Sequence, residues 1–219
     1  KLFYGSPDES LNLTGVTGTN GKTTVSLLAQ YLMGGSQSVG LLGTIRYDIG
    51  NRTLPSHRTT PESVDCFSLF SQMKMANCKD VVMEVSSHGI DQHRVDYVHF
   101  NTAVFLNLSR DHMDYHESID AYFEVKKKLF TGALGFLVER AFVNIDCPYG
   151  RKLYSEIPDG VKKYSFGTSD SADFWASAVR LQSTGLEFML NYPEGQCLIR
   201  SNLLGRHNVL NLLASLSTS

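Results

Sequence analysis

The chain has 219 residues, 20 basic against 22 acidic side chains, a formal net charge of −2, and is 42% hydrophobic with 12 Phe and 10 Tyr. This composition supports a full core in one large domain and excludes a generic polyanion binder; no apolar run reaches membrane-spanning length and the N-terminus does not read as a signal peptide. Cys66, Cys78, Cys147 and Cys197 form no C-x-x-C pair and read as reduced thiols of a cytosolic protein.

Residues 1–10, with Gly5 and Pro7, read as a polar linker. The stretch 11–24 (LNLTGVTGTNGKTT) then runs from an apolar strand through a glycine-rich turn into an amphipathic helix carrying Val25, Leu27, Leu28 and Leu32. Glycines 15, 18 and 21 let the backbone take positive φ and approach a ligand closely. Backbone N–H groups at the positive end of the helix, the Lys22 ammonium and the Thr23 hydroxyl together suit nucleotide phosphates and a cation. The pattern departs from G-x-x-x-x-G-K-[ST] at Val16, where glycine is called for. A bare glycine turn before an ordinary helix is the plainer alternative.

Residues 39–45 (VGLLGTI) read as a second buried strand and 47–60 as a polar surface loop. Thr60-Pro61-Glu62 reads as a helix start, Thr60 as N-cap, with Phe67, Leu69, Phe70 and Met73 on the core face. Residues 80–85 (DVVMEV) and 102–108 (TAVFLNL) are continuous apolar strands, as a parallel sheet covered on both faces requires. A helix follows at 118–130, opened by Ser118, then a strand at 141–145, a turn at 146–150 and a short strand at 162–166. From Asp173 the period changes: 174–182, 186–192 and 196–203 alternate and are separated by turn residues, which predicts an antiparallel meander. A helix at 207–216 closes the chain. The order predicts an α/β fold, a doubly wound and mostly parallel sheet with a phosphate loop, plus a small antiparallel patch near the C-terminus.

Ligands bind such sheets at the carboxyl ends of the strands. Those ends carry the phosphate loop, then Glu84, Ser86, Ser87 and His88, then Arg110, Asp111, His112 and His116. Glu84 lies inside an apolar strand, where an unpaired carboxylate is costly. A magnesium ion shared with Thr23 and phosphate would neutralise it, and so would a nearby Lys or Arg. His112 and His116 have helical zinc spacing but lack a third ligand, so one metal-edge and one structural histidine is the better reading. Of Lys126, Lys127 and Lys128, a helix can turn only one toward the sheet. A lysine there, beside other positive charge, has a depressed pKa, and its free amine can add CO2 to form a carbamate.

Six segments, TGTNGKTT (17–24), EVSSHG (84–89), Gln92-His93-Arg94, RDHMDYH (110–116), Lys126-x-x-Leu129-Phe130 and LGRHNVLN (204–211), resemble the Mur ligases in order and spacing. EVSSHG with Gln92, Arg94 and RDHMDYH is most similar to the MurE type, the tripeptide synthetases of peptidoglycan assembly. The resemblance spans residues 3–213 and implies the central ATPase domain of a three-domain enzyme, residues 11–219, following the 1–10 linker. It implies ATP-driven amide-bond formation through an acyl phosphate, joining a diamino acid (meso-diaminopimelate or lysine) to a UDP-muramoyl-dipeptide. ATP would contact Gly18, Thr19, Asn20, Gly21, Lys22, Thr23 and Thr24, with Asn208 and Asn211 near the adenine. One Mg2+ would sit on Thr23 and Glu84, a second on His112 and a carbamylated Lys126, which the resemblance selects over its neighbours. Lys22, His112 and Lys126 would be catalytic, and Thr59, Thr60, Ser86, Gln92 and Arg94 would bind the muramoyl-dipeptide. The resemblance further implies a cytoplasmic monomer with no nucleic-acid or membrane partner. Arg58, Val125, Cys147 and His207 depart from common family residues, and 132–140 looks shortened. A folate polyglutamate ligase, a phosphate-loop regulatory module and a nucleotide-binding fragment inactive alone are the competing readings.

Overall fold

The computed structural model describes residues 1–218. Residues 1–10 form two 3-10 turns, held down by the Lys1 ammonium 2.9 Å from the buried Asp8 carboxylate. β1 (Asn12–Thr17) leads through the phosphate loop into α1 (Lys22–Leu32). β2 (Val39–Leu42), β3 (Arg46–Asp48) and β4 (Thr53–Pro55) follow, then α2 (Ser63–Met75), β5 (Asp80–Glu84) and the short α3 (Ser87–Asp91). β6 (Thr102–Phe105), α4 (Ile119–Lys127), β7 (Arg140–Asn144), α5 (Pro148–Glu156) and β8 (Lys162–Gly167) complete the parallel part. β9 (Phe174–Gln182), β10 (Gly185–Tyr192) and β11 (Gly195–Ser201) precede the last helix, α6 (His207–Thr218).

All strands join one eleven-stranded sheet in the order β11-β10-β9-β8-β7-β6-β1-β5-β2-β3-β4. β1 is flanked by β5 and β6, both parallel to it. The chain winds first to one side of β1 and then to the other, so the carboxyl end of β1 is the switch point at which such sheets bind ligands. Alternate strand residues face two cores. Leu13, Val81 and Phe105 pack against α2, α4 and α5 through Phe70, Phe123 and Leu153. Val16, Val82 and Val104 pack against α1 and α6 through Val25, Ala29 and Leu213.

The expected fold is present, with local corrections. The polar stretch 47–60 is not simply a loop: β3 and β4 are a hairpin extending the sheet antiparallel beyond β2. Three-residue strands are too short to show a period, and Asp48 conceals the buried face. Thr60 is not a helix cap. α2 begins at Ser63 with Glu62 at its N-cap, and the Thr60 hydroxyl instead donates to the Glu84 carbonyl at 2.9 Å. The turn at 146–150 continues as α5, with Pro148 in its first turn. Ser118 does cap α4, accepting the Ala121 N–H at 3.0 Å. The C-terminal meander is continuous with the main sheet, because β9 lies parallel beside β8.

Candidate functional site

The phosphate loop spans the end of β1 and the start of α1. A Cβ at Gly18 would lie 2.9 Å from Leu106 Cβ, and one at Gly21 (φ 91°) only 2.5 Å from Asn211 Oδ1, so both positions require glycine. The loop is clamped from the segment just after β6. The Asn107 carbonyl accepts the Thr19 N–H at 3.0 Å, its side-chain oxygen accepts the Asn20 N–H at 2.9 Å, and its amide donates to the Asn20 carbonyl at 3.0 Å. Two loop N–H groups are therefore spent on the fold. The anion-facing donors are those of the first turn of α1, which have no partner within the helix. A hollow of about 270 Å3 opens here, lined by Thr19, Asn20, Gly21, Lys22, Thr23 and Thr24 from the loop and by Thr44, Thr59 and Glu84. A larger hollow of about 380 Å3 lies between the β3–β4 hairpin and α2, and its lining includes Arg58, Pro61 and Glu62 on either side of Thr59 and Thr60.

On one side of the loop stands Glu84, 1% exposed at the end of β5. Its Oε2 accepts the Thr23 hydroxyl at 2.9 Å and the Thr44 hydroxyl at 3.1 Å, and its Oε1 accepts the Thr44 N–H at 2.8 Å. Among the described residues no Lys or Arg forms an ion pair with it. An ionised carboxylate has about four acceptor positions, and the three donors leave one of them, on Oε1, without a protein donor among the described residues. Buried oxygen ligands beside a phosphate cradle suit a hard cation such as Mg2+, which takes its remaining ligands from phosphate and water. No group of three His, Cys, Asp or Glu side chains gathers as a metal centre among the described residues.

On the other side stands Lys126, fully buried on α4. Its ammonium nitrogen lies 3.3 Å from Thr17 Oγ1, 3.2 Å from the Gly18 carbonyl, and 4.7 Å above the Tyr122 ring. Lys22 folds back onto the same loop, donating to the Gly18 carbonyl at 2.8 Å and the Thr19 carbonyl at 3.0 Å. Burial first, and then the Lys22 charge, hold the Lys126 amine well below its ordinary pKa, against a smaller opposing pull from Asp111. Burial also lowers Lys22, against the pull of Glu84 and Asp111. Lys127 differs: it points outward and pairs with Glu124 at 2.6 Å and Glu156 at 2.9 Å.

His112 takes a left-handed backbone (φ 55°), is half exposed, and sits edge-on to His88 at 4.9 Å. It and Lys126 both adjoin the Tyr122 ring, the His112 ring centroid lying 6.3 Å from that of Tyr122. His116 is buried, stacked on Tyr122 and bonded through Nε2 to Ser87 Oγ at 3.0 Å.

The residues expected to hold an acceptor substrate form the next rim. Thr59 lines the hollow, but Thr60 is buried and its hydroxyl is engaged by Glu84 and Ser86. Ser86 also caps α3, accepting the Gly89 N–H at 3.0 Å. Arg94, 7% exposed, donates to the Thr60 carbonyl at 3.1 Å and to Gln92 Oε1. Its Nε lies 3.3 Å from Glu62 Oε1 without a hydrogen bond, leaving one buried N–H unspent. Asn211 donates to Asn208 Oδ1 at 2.8 Å; both lie on the first turns of α6, and Asn211 stands against the loop at Gly21. Thr44, Asn107 and Tyr122 join the site without having been singled out. A polar Asn within the apolar run VFLNL was the available signal for Asn107. Thr44 had none.

The fold and site define a phosphate-loop α/β domain in which a buried acid and a buried amine flank the loop. The Mur ligase middle-domain model matches residues 16–219, and the chain belongs to the Mur ligase family. It is 41% identical over 220 residues to the UDP-N-acetylmuramoyl-L-alanyl-D-glutamate–2,6-diaminopimelate ligase of Geobacter metallireducens, covering 98% of this chain and 43% of that one. A solved structure of a ligase of the same name is 30% identical and superposes with a TM-score of 0.83, covering 95% of this chain and 42% of that one. The MurF ligase of Thermotoga maritima in complex with ADP, 18% identical with a TM-score of 0.69, shares the fold. The chain thus spans less than half the length of these relatives. Among the described residues no helix is long and apolar enough to cross a membrane.

Proposed function

We propose that this domain is the ATP-using centre of a longer cytoplasmic ligase that joins 2,6-diaminopimelate to UDP-N-acetylmuramoyl-L-alanyl-D-glutamate. The relatives' names support the substrates, and the 43% share of them that the chain covers supports a longer, flanked enzyme. One observation carries the reading: Glu84 and Lys126 are both buried beside the phosphate loop, and among the described residues neither has an ion-pair partner. A switch or motor needs the loop and the acid but has no evident use for the buried amine.

The acceptor's terminal carboxylate attacks the γ-phosphorus of ATP, giving an acyl phosphate and ADP. The incoming amine then attacks the acyl carbon and phosphate leaves. The protein's main task is to offset the repulsion between a carboxylate and a triphosphate. Lys22 and the first-turn N–H groups of α1 bind and orient the phosphates, while Asn107 keeps the loop rigid. Thr23 and Glu84 would hold one Mg2+, which supplies positive charge to the phosphates. His112 and Lys126 would hold a second, the Lys126 amine, whose pKa burial and the Lys22 charge hold down, adding CO2 in its unprotonated form and releasing a proton to become a carbamate. Thr59, Ser86, Gln92 and Arg94 receive the muramoyl-dipeptide, and Thr60 orients Ser86 for it. Asn208 and Asn211 border the nucleoside. The test is incubation of the full-length enzyme with UDP-muramoyl-dipeptide, ATP and either 2,6-diaminopimelate or lysine, read by mass. The diaminopimelate tripeptide with equal ADP and phosphate is expected; the lysine tripeptide in its place, or nucleotide binding without ligation, overturns the reading.

A further inference from the structure

A chain of hydroxyls joins the two halves of the site. Thr23 and Thr44 both donate to Glu84 Oε2, and Thr44 Oγ1 lies 2.9 Å from Thr59 Oγ1. The direction of these bonds follows from chemistry. A carboxylate only accepts, and a threonine has one proton. The Thr44 proton therefore goes to Glu84, so Thr59 must be the donor in the Thr59–Thr44 contact. Its proton spent, Thr59 presents only lone pairs to the hollow it lines. Close packing fixes the arrangement: a Cβ at Gly43 would lie 2.3 Å from Glu84 Oε1, so glycine there lets the Thr44 N–H reach the carboxylate.

Building on the ligase reading, we propose that Thr44 is a positioning residue that couples the two substrates. It orients Glu84 on the nucleotide side, and it fixes Thr59 on the acceptor side as a hydrogen-bond acceptor matched to an N–H or O–H of the muramoyl-dipeptide rather than to its carboxylate. A ligand that orders Thr59 orders Glu84 through two hydrogen bonds, and by linkage the effect is reciprocal. Thr44 is exposed, so Thr44→Val removes the hydroxyl without opening the core.

The test uses the full-length enzyme. AMP-PNP binding is titrated calorimetrically with and without Mg2+, and with and without UDP-muramoyl-dipeptide, alongside KM and kcat. Thr44→Val is expected to weaken Mg2+-dependent AMP-PNP binding about tenfold, the scale of one hydrogen bond to a charged group. Mg2+-free binding should weaken less than Mg2+-dependent binding, the acceptor's effect on nucleotide affinity should vanish, and acceptor KM should rise more than kcat falls. Thr44→Ser, which keeps the hydroxyl, should restore all of these. Wild-type coupling in Thr44→Val, no coupling in the wild type, or Thr44→Ser behaving like Thr44→Val overturns the relay. A wild type that binds AMP-PNP but forms no tripeptide overturns the ligase reading instead, and the Mg2+ comparison still judges Thr44.

Discussion

Two buried carboxylates, Asp48 in the β3–β4 hairpin and Glu84 beside the phosphate loop, are alike in exposure (1% each) and opposite in charge balance. Asp48 accepts the Thr53 hydroxyl at 2.6 Å, the Arg46 guanidinium at 2.8 Å and the Gln30 amide at 3.0 Å. Burial alone would push its carboxyl up, but the bonds from Thr53, Gln30 and Arg46, with the Arg46 charge, bring it below the ordinary value. The fold neutralises Asp48, and the acid fastens the hairpin to α1. Glu84 has hydroxyl and N–H donors but no ion-pair partner among the described residues. Burial marks neither as functional. What separates them is whether the counter-charge belongs to the protein or must arrive with a ligand.

The largest effect expected is on the mirror case, the buried amine. Lys126→Ala in the full-length enzyme should lower kcat about a thousandfold, the upper range for one preorganised charged group. A short-chain carboxylate should restore part of it by entering the space vacated; unaltered kcat would remove the carbamate role. Glu84→Gln should lower Mg2+-dependent kcat about a hundredfold while the melting temperature holds. Retained turnover would place the cation elsewhere. Asp48→Asn should do the reverse, leaving kcat within about twofold but destabilising the domain by roughly 1–3 kcal/mol, because it takes the counter-charge from Arg46. Because the folded Asp48 carboxyl lies below its unfolded value, its contribution is full above about pH 4 and is lost as pH falls through the folded value. Acid unfolding of Asp48→Asn should therefore be less pH-dependent than that of the wild type. Glu187→Gln in β10, whose partners Arg180 and Arg200 are about three-quarters exposed, should change stability by about 0.5 kcal/mol or less.

Most of the fold was legible because buried parallel strands announce themselves: VVMEV and AVFL are apolar on both faces, and the change to alternation after Asp173 marked the meander. The hairpin was not, since its strands are three residues long and its buried acid imitates a loop residue. The site was legible wherever chemistry conflicted with surroundings, as with Glu84 in an apolar strand. Choosing Lys126 among three consecutive lysines needed family resemblance, since periodicity says only that one of them turns inward. Thr44 was out of reach, because an exposed threonine after a strand carries no sign of the carboxylate, 40 residues away in sequence, that it holds.

The contrast between the two acids is tested most directly by the Mg2+ dependence of AMP-PNP affinity in wild type, Glu84→Gln and Asp48→Asn, measured by calorimetry on the full-length enzyme. Mg2+ should strengthen nucleotide binding in the wild type and equally in Asp48→Asn, and the gain should disappear in Glu84→Gln. A Glu84→Gln enzyme that keeps the wild-type gain would contradict the account, showing that the buried acid serves the fold just as Asp48 does.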